Sequence, residues 1–452
     1  MIVKNLLPLF SAAQTRGSKI KKSLIGLVIV KFLSLLIALA LIPMTLNYLG
    51  PVKYGIWLIL GSIVGWAGFF DLGLSNGLRN KLGEALAKGD IKRGKILISS
   101  TLAMLSIISI LIYLVFWMIN PLINWQVIFN APVDMVVEIN LVVIIAFSFF
   151  ILRFVSGIIG TVLMTDQRPA LADGINAAGA LLTLFAIYIL TLTTKNSLIY
   201  VVIFFSAISA LVPMIAGVWF FYYSYRHISP SYRNVDISYV KELGGQGIQF
   251  FSIQICALVL FTTDNIIITQ LFGPAEVVPY NISHRLFNYV VLVFGLILTP
   301  FWAIYNEAYN KNDLRWIKTT TTKMIRVWLG LAIGVVILFL LSDNIYTLWL
   351  GSMVAIPTSI SFFMALFVLV QTFNMLFVTF IFSTGKLRVQ IYAGLFAAAI
   401  NLPLSYIFAV IVELGPAGVI LSTAVCCMPN LLLAPIQCNK LIHRRAHGIW
   451  AK

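Results

Sequence analysis

Hydrophobic residues in this chain gather into twelve long stretches, and polar residues are confined to the gaps between them. The stretches fall at roughly residues 24–48, 54–77, 96–119, 136–164, 171–193, 197–224, 246–272, 279–302, 327–349, 357–383, 389–412 and 417–439. Wound as a helix rising ~1.5 Å per residue, each is long enough to cross a hydrocarbon core of ~30 Å. The pattern predicts an all-α membrane protein of twelve transmembrane helices. No gap exceeds about 24 residues, which leaves no room for a separately folded soluble domain.

The basic residues sort the gaps into two kinds. Loops 1–23, 78–95, 165–170, 225–245, 303–326 and 384–388, with the tail from Lys440, hold all but five of the 31 Lys and Arg. Lys53 and Lys195 lie in the opposite gaps, and Lys31, Arg153 and Arg285 lie inside stretches. Cytoplasmic loops carry such an excess, so both termini are expected to be cytoplasmic. Lys19, Lys21 and Lys22 precede an apolar run of ~25 residues, longer than the 7–15 of a signal-peptide core, so no cleavable signal is read. Residues 1–15, with Leu6, Leu7, Leu9 and Phe10, suit either a short amphipathic helix on the membrane surface or a frayed tail.

Composition narrows the classes. Hydrophobic residues make up 60% and charged residues 10%, against about 25% charged in soluble domains. The net charge of +16 is spread over short loops on one face, which suits anionic membrane lipid and not nucleic acid. Cys256, Cys426, Cys427 and Cys438 all lie in apolar stretches and form no CxxC pair, and the four histidines show no ligand spacing. Neither a disulfide framework nor a metal site is expected, and no cofactor. The largest outer gap, about 120–135, has no His and one acid, Asp134. Without a nucleophile–base arrangement, a Gly-rich phosphate loop or a metal-ligand cluster, an enzyme is not expected.

The chain also repeats itself. Glu84-Ala85-Leu86-Ala87-Lys88-Gly89-Asp90-Ile91-Lys92-Arg93-Gly94-Lys95 matches Glu307-Ala308-Tyr309-Asn310-Lys311-Asn312-Asp313-Leu314-Arg315-Trp316-Ile317-Lys318 as E-A-x-x-K-x-D-[IL]-[KR]-x-x-K, at an offset of 223 residues. The same offset pairs Gly50-Pro51 with Gly273-Pro274. Two halves follow, 1–225 and 226–452, each of six helices and entering from the same side. Six-helix bundles so repeated are related by a pseudo-two-fold axis along the membrane normal, and such halves typically rock around a central site to give alternating access.

Some of these residues also resemble a known family. Tyr48-Leu49-Gly50-Pro51-Val52-Lys53-Tyr54-Gly55-Ile56-Trp57 is similar to the first outer turn of polysaccharide flippases. Asp71-Leu72-Gly73-Leu74-Ser75-Asn76-Gly77-Leu78-Arg79-Asn80 resembles their D-x-G-L motif, and Thr263-Asp264-Asn265-Ile266-Ile267-Ile268 through Leu271-Phe272-Gly273-Pro274 to Tyr280-Asn281 their seventh-span signature. The family is the Wzx-type O-antigen flippases of the multidrug/oligosaccharidyl-lipid/polysaccharide (MOP) exporter superfamily. The resemblance implies export of undecaprenyl-diphosphate-linked oligosaccharide repeat units across the bacterial inner membrane, with membrane lipids and polysaccharide-assembly proteins as partners. A multidrug or small-cation exporter of the same superfamily is the alternative.

Ionisable groups inside a membrane cost at least ~2.5–3.5 kcal/mol on insertion scales and usually face a cavity or each other. Lys31, Asp71, Glu138, Arg153, Asp264 and Arg285 are the six picked out. By depth, Lys31 could pair with Asp71, and Asp264 with Arg285. Such pairs either hold helices together or serve transport, and Asp71 or Asp264 could bind a coupling cation. Glu138 reads as interfacial. Arg153, near the middle of its stretch, has no acid matched in depth. Its planar guanidinium suits a diphosphate, with backbone carbonyls of a broken neighbour as the other reading. The candidate substrate set is Arg153, Lys31 and Arg285, with Arg79 and His284 as weaker additions. Gln249, Gln254, Asn281, Asn288, Gln371, Asn374 and Asn401 suit either sugar contacts or interhelical hydrogen bonds, and Pro43, Pro213, Pro300 and Pro403 suit kinks.

Overall fold

The computed structural model describes residues 17–67, 74–236, 238, 260 and 262–451. The surface reading of residues 1–15, Asp71, Gln249, Gln254 and Cys256 lie outside the described residues. Among the described residues the regular structure is helical, with no strand, and ten helices are long and apolar enough to cross a membrane. The chain forms two compact units. The first comprises Met1–Tyr48, Phe70–Ile123 and Asn140–Gly247, and the second Leu49–Phe69, Asn124–Ile139 and Ile248–Lys452.

Helix α1 (Gly17–Ala67) is really two helices joined at Gly50, whose φ of 71° and ψ of 168° break the helical run. That left-handed conformation costs glycine little and other residues much more. In the first unit follow α2 (Leu74–Ala87) and α3 (Ile91–Ile119). Next come α4 (Trp125–Phe129), a short helix of the second unit, and α5 (Val136–Ser156), α6 (Ile158–Thr165), α7 (Pro169–Thr193) and α8 (Leu198–Tyr223). Leu78 and Leu82 of α2, Leu97 and Ile98 of α3 and Ile159, Val162 and Leu163 of α6 form the core of the first unit. The connector after α8 is strapped down. Ile228 is buried in that core, the Tyr225 hydroxyl donates to Asp166 Oδ2 at 2.7 Å, and the Ser231 and Asp236 amides donate to Ser99 and Ser100 Oγ at 3.0 and 2.9 Å.

The second unit continues with α9 (Asp264–Phe272), α10 (Val277–Asn310), α11 (Leu314–Leu350), α12 (Thr358–Thr384), α13 (Arg388–Tyr406), α14 (Pro416–Cys427) and α15 (Pro429–Ile442). α12 is the central helix, packed on α10, α11, α14 and α15. Its Phe377 and Phe380 interlock with Phe294, Phe301 and Tyr305 of α10, with the Tyr305 and Phe380 rings edge to face at 5.5 Å. Cys438 fills part of this core, as a small hydrophobe does. The last apolar stretch is split between α14 and α15, because Pro429 has no amide to continue the ladder. Asn374 Nδ2 donates to the Cys427 carbonyl at that break, 3.1 Å away.

The duplicated loop folds the same way twice. Glu84 pairs with Lys88, and Glu307 with Lys311, each four residues apart on a helix. The chain then turns through a left-handed residue, Gly89 (φ 70°) or Asn312 (φ 59°). Asp90 and Asp313 donate their amides to Ala85 and Ala308 carbonyls, both at 2.9 Å. Their carboxylates cap the next helix, accepting from Arg93 N at 2.9 Å and Trp316 N at 3.0 Å. Gly50 and Gly273 match as well, both at positive φ with ψ near extended.

Large apolar residues are left exposed in stripes, such as Ile107, Ile110, Leu111 and Leu114 on α3 and Leu329, Ile333, Val336 and Leu340 on α11. Water would make these faces an aggregation hazard, whereas acyl chains solvate them.

Candidate functional site

Asp264 opens α9 and is almost wholly buried, with 2% of its surface exposed. Gly273 (φ 94°) and the 3₁₀ turn Pro274–Glu276 reverse the chain after α9. The first turn of α10 therefore lies beside the start of α9. Two contacts sixteen residues apart result. The Tyr280 hydroxyl donates to Asp264 Oδ2 at 2.7 Å, and Asn281 Nδ2 to Asn265 Oδ1 at 2.8 Å. From α14, Thr423 Oγ1 lies 3.4 and 3.3 Å from the two carboxylate oxygens. Asn401 Nδ2 of α13 donates to Thr423 Oγ1 at 3.1 Å. Asn401 is itself buried, and its Oδ1 has no hydrogen-bond partner among the described residues. A small cavity opens beside the carboxylate, lined by Tyr280, His284 and Thr423 and by the apolar Met364, Phe367 and Ile420.

The chemistry follows from a shortfall of donors. An ionised carboxylate accepts about four hydrogen bonds, and two hydroxyls reach this one. Hydrogen bonds to a charged group return about 1.5–3 kcal/mol each, whereas desolvating the charge costs several kcal/mol. The remaining oxygen positions, with the unpartnered Asn401 Oδ1 two contacts away, suit a proton or a small hard cation.

The described residues of 49–67 and 124–139 belong to the same unit as this site. Trp66 Nε1 donates to Thr262 Oγ1 at 2.6 Å, Asn265 Nδ2 to Ser62 Oγ at 2.7 Å, and Asn130 Nδ2 to the Thr269 carbonyl at 2.9 Å. Glu138 pairs with Lys53 at 3.1 Å.

In the first unit, Lys31 pairs with Asp173 at 2.9 Å. Asp173 lies three residues into the stretch beginning at 171 and is missing from the six residues singled out in the sequence. Its place near the start of α7 carries no local signal of a partner, and packing brings it to Lys31. Arg153 is exposed on α5, one turn before α5 gives way to α6 at Gly157, and has no side-chain partner among the described residues. Arg79 is exposed on α2. In the second unit Arg285, half-buried on α10, makes no ion pair among the described residues, and Asp264 has taken hydroxyl partners instead. Tyr280 and Thr423 were not singled out as site residues. Tyr280 stood within the quoted seventh-span signature, but nothing local marks Thr423, 159 residues from Asp264.

No family model matches the chain. It is 22% identical over 344 residues to a Salmonella typhi protein credited with O-antigen transport, covering 75% of this chain and 74% of that protein. It is also 22% identical over 389 residues to one of Yersinia pseudotuberculosis credited with O-antigen export, covering 84% and 87%. In fold it is similar to an inward-facing multidrug-resistance MATE transporter of the MOP superfamily, with a TM-score of 0.76 at 14% identity over 90% of this chain and 95% of that one. A MOP-superfamily transporter from Pyrococcus furiosus follows at 0.63 and 13%, over 93% and 96%.

Ten membrane-length helices among the described residues make this a multi-pass membrane protein, with a fold similar to that of MATE transporters of the MOP superfamily. In sequence it is similar to proteins named for O-antigen transport and export.

Proposed function

We propose that this chain moves undecaprenyl-diphosphate-linked oligosaccharide repeat units from the cytoplasmic to the periplasmic leaflet of the bacterial inner membrane by alternating access. Twelve spans in two like-oriented halves, 1–225 and 226–452, with both termini cytoplasmic, are part of this reading. The similarity to proteins credited with O-antigen transport supports the substrate class.

The observation that carries the proposal is Arg153. A guanidinium in mid-span without an acidic partner among the described residues is costly in hydrocarbon and is accounted for by an anionic ligand. Its donor fork matches paired phosphate oxygens. Lys31, Arg285 and Arg79 are proposed as further contacts to diphosphate or acidic sugars. Asp264 is proposed to take up the coupling cation, through the carboxylate oxygens that Tyr280 and Thr423 leave open.

The test is complementation of a deletion strain, scored for surface polysaccharide and for lipid-linked repeat units retained on the inner leaflet. Arg153→Ala is expected to abolish export at normal protein level, and Arg153→Lys to keep part of it. Wild-type export by the alanine variant overturns the proposed site. A deletion that leaves polysaccharide intact but alters dye sensitivity favours the drug-exporter reading.

A further inference from the structure

We propose that the end of the second unit read as cytoplasmic holds a binding site for an anionic phospholipid headgroup, built from Lys386, Arg388, Lys440 and Arg445 beside Trp450. Three connections bring these residues together. Gln437 Nε2 on α15 donates to the Lys386 carbonyl at 2.9 Å, tying the turn before α13 to α15. After α15 the tail folds back, with the Arg445 amide on the Lys440 carbonyl at 2.8 Å. The closing turn, Gly448–Ala451, then rests against α13 and α15, with Lys440 Nζ 4.0 Å above the Trp450 ring.

The tail is anchored further by Ala446, packed against the core of the unit, and by Arg444, whose guanidinium donates to Asn312 Oδ1. Arg388, His443, Arg445 and His447 remain exposed. Among residues 384–451 the one Asp or Glu is Glu413, beyond the opposite end of α13. The acids on the neighbouring duplicated loop are engaged, Glu307 by Lys311 and Asp313 in capping α11. The fold thus draws the Lys386 turn and the tail together at one end of α13 and α15, and none of the four cations forms an ion pair among the described residues, so the cluster favours an arriving counter-charge. Ile449 is 47% exposed and Trp450 lies beside it. An apolar residue and an indole next to a cationic cluster, at the ends of membrane helices, match the headgroup layer and not a soluble acidic partner. Because the platform is already ordered, binding demands little further loss of freedom.

The experiment uses the full chain purified in neutral detergent, with phosphatidylglycerol or phosphatidylcholine added. Thermal unfolding and native mass spectrometry are the readouts, and neither depends on transport. Phosphatidylglycerol is expected to raise the unfolding midpoint by several degrees and to stay bound in the gas phase, and phosphatidylcholine to do neither. The R388A/R445A variant is expected to lose both effects, and R388K/R445K to keep them. An equal shift in the alanine variant, or an equal effect of phosphatidylcholine on the native chain, overturns the proposal. So does displacement of phosphatidylglycerol by equimolar inorganic pyrophosphate, which would make the cluster a diphosphate site. If R388A/R445A does not fold, W450A must show a reduced phosphatidylglycerol shift for the proposal to stand.

Discussion

Gly55 and Pro274 meet backbone to backbone: a Cβ at position 55 would stand 1.8 Å from the Pro274 carbonyl oxygen. Gly55 lies on α1 five residues past the break at Gly50, and Pro274 follows Gly273, the two glycines being paired by the 223-residue offset. Both residues lie in the second unit. No side-chain rotation relieves an overlap with backbone.

Gly55→Ala is therefore expected to destabilise the protein by about 1–3 kcal/mol, as overpacking does. Gly61→Ala is the control. It lies on the same helix, with nothing within 4 Å of a Cβ, and should be neutral or slightly stabilising. Thermal unfolding of the two purified variants checks this, and equal midpoints would show that the approach is not tight.

Asp264→Asn removes a buried charge while keeping the shape. It should preserve or raise intrinsic stability, because the desolvation cost disappears, and abolish export. The native protein should gain stability when the coupling cation is added, by about 2.7 kcal/mol at a hundredfold excess over Kd. The asparagine variant should gain nothing. Melting curves with and without sodium, and at two pH values, distinguish a metal cation from a proton.

Lys31 and Asp173 invite a charge swap. Lys31 is 40% exposed and Asp173 16%, so as a bridge alone they should couple by no more than about 1 kcal/mol. If Lys31 also meets the substrate, as proposed, Lys31→Asp with Asp173→Lys restores protein level but not export. Full recovery of export by the swap would confine Lys31 to a packing role.

The duplicated caps should behave alike. Asp90→Ala and Asp313→Ala each remove a carboxylate that accepts an amide at the start of a long helix. Each should cost about 0.5–2 kcal/mol, and serine at either position should recover most of it. A large loss at one and none at the other, seen by thermal unfolding, would show that the two copies have diverged in role.

How much of this was legible in the chain depends on the range of the interaction. Helices and turns are local events. Apolar length foretold membrane helices, and the repeated motif folds alike at both places, with a left-handed residue and an Asp cap in each, because those bonds join residues within five positions. Partners were another matter. Depth counted along the sequence offered Arg285 to Asp264, yet depth says nothing about which face of a helix a side chain takes or which helix stands opposite. Packing gave Asp264 the hydroxyls of Tyr280 and Thr423, and gave Lys31 the carboxylate of Asp173. The chain by itself determined that this is a helical membrane protein with a duplicated loop motif, since burial in lipid is set by runs of side chains. Which charges are satisfied, and by what, was decided only when distant helices packed together, because a hydrogen bond forms within ~3 Å in space whatever the separation in sequence.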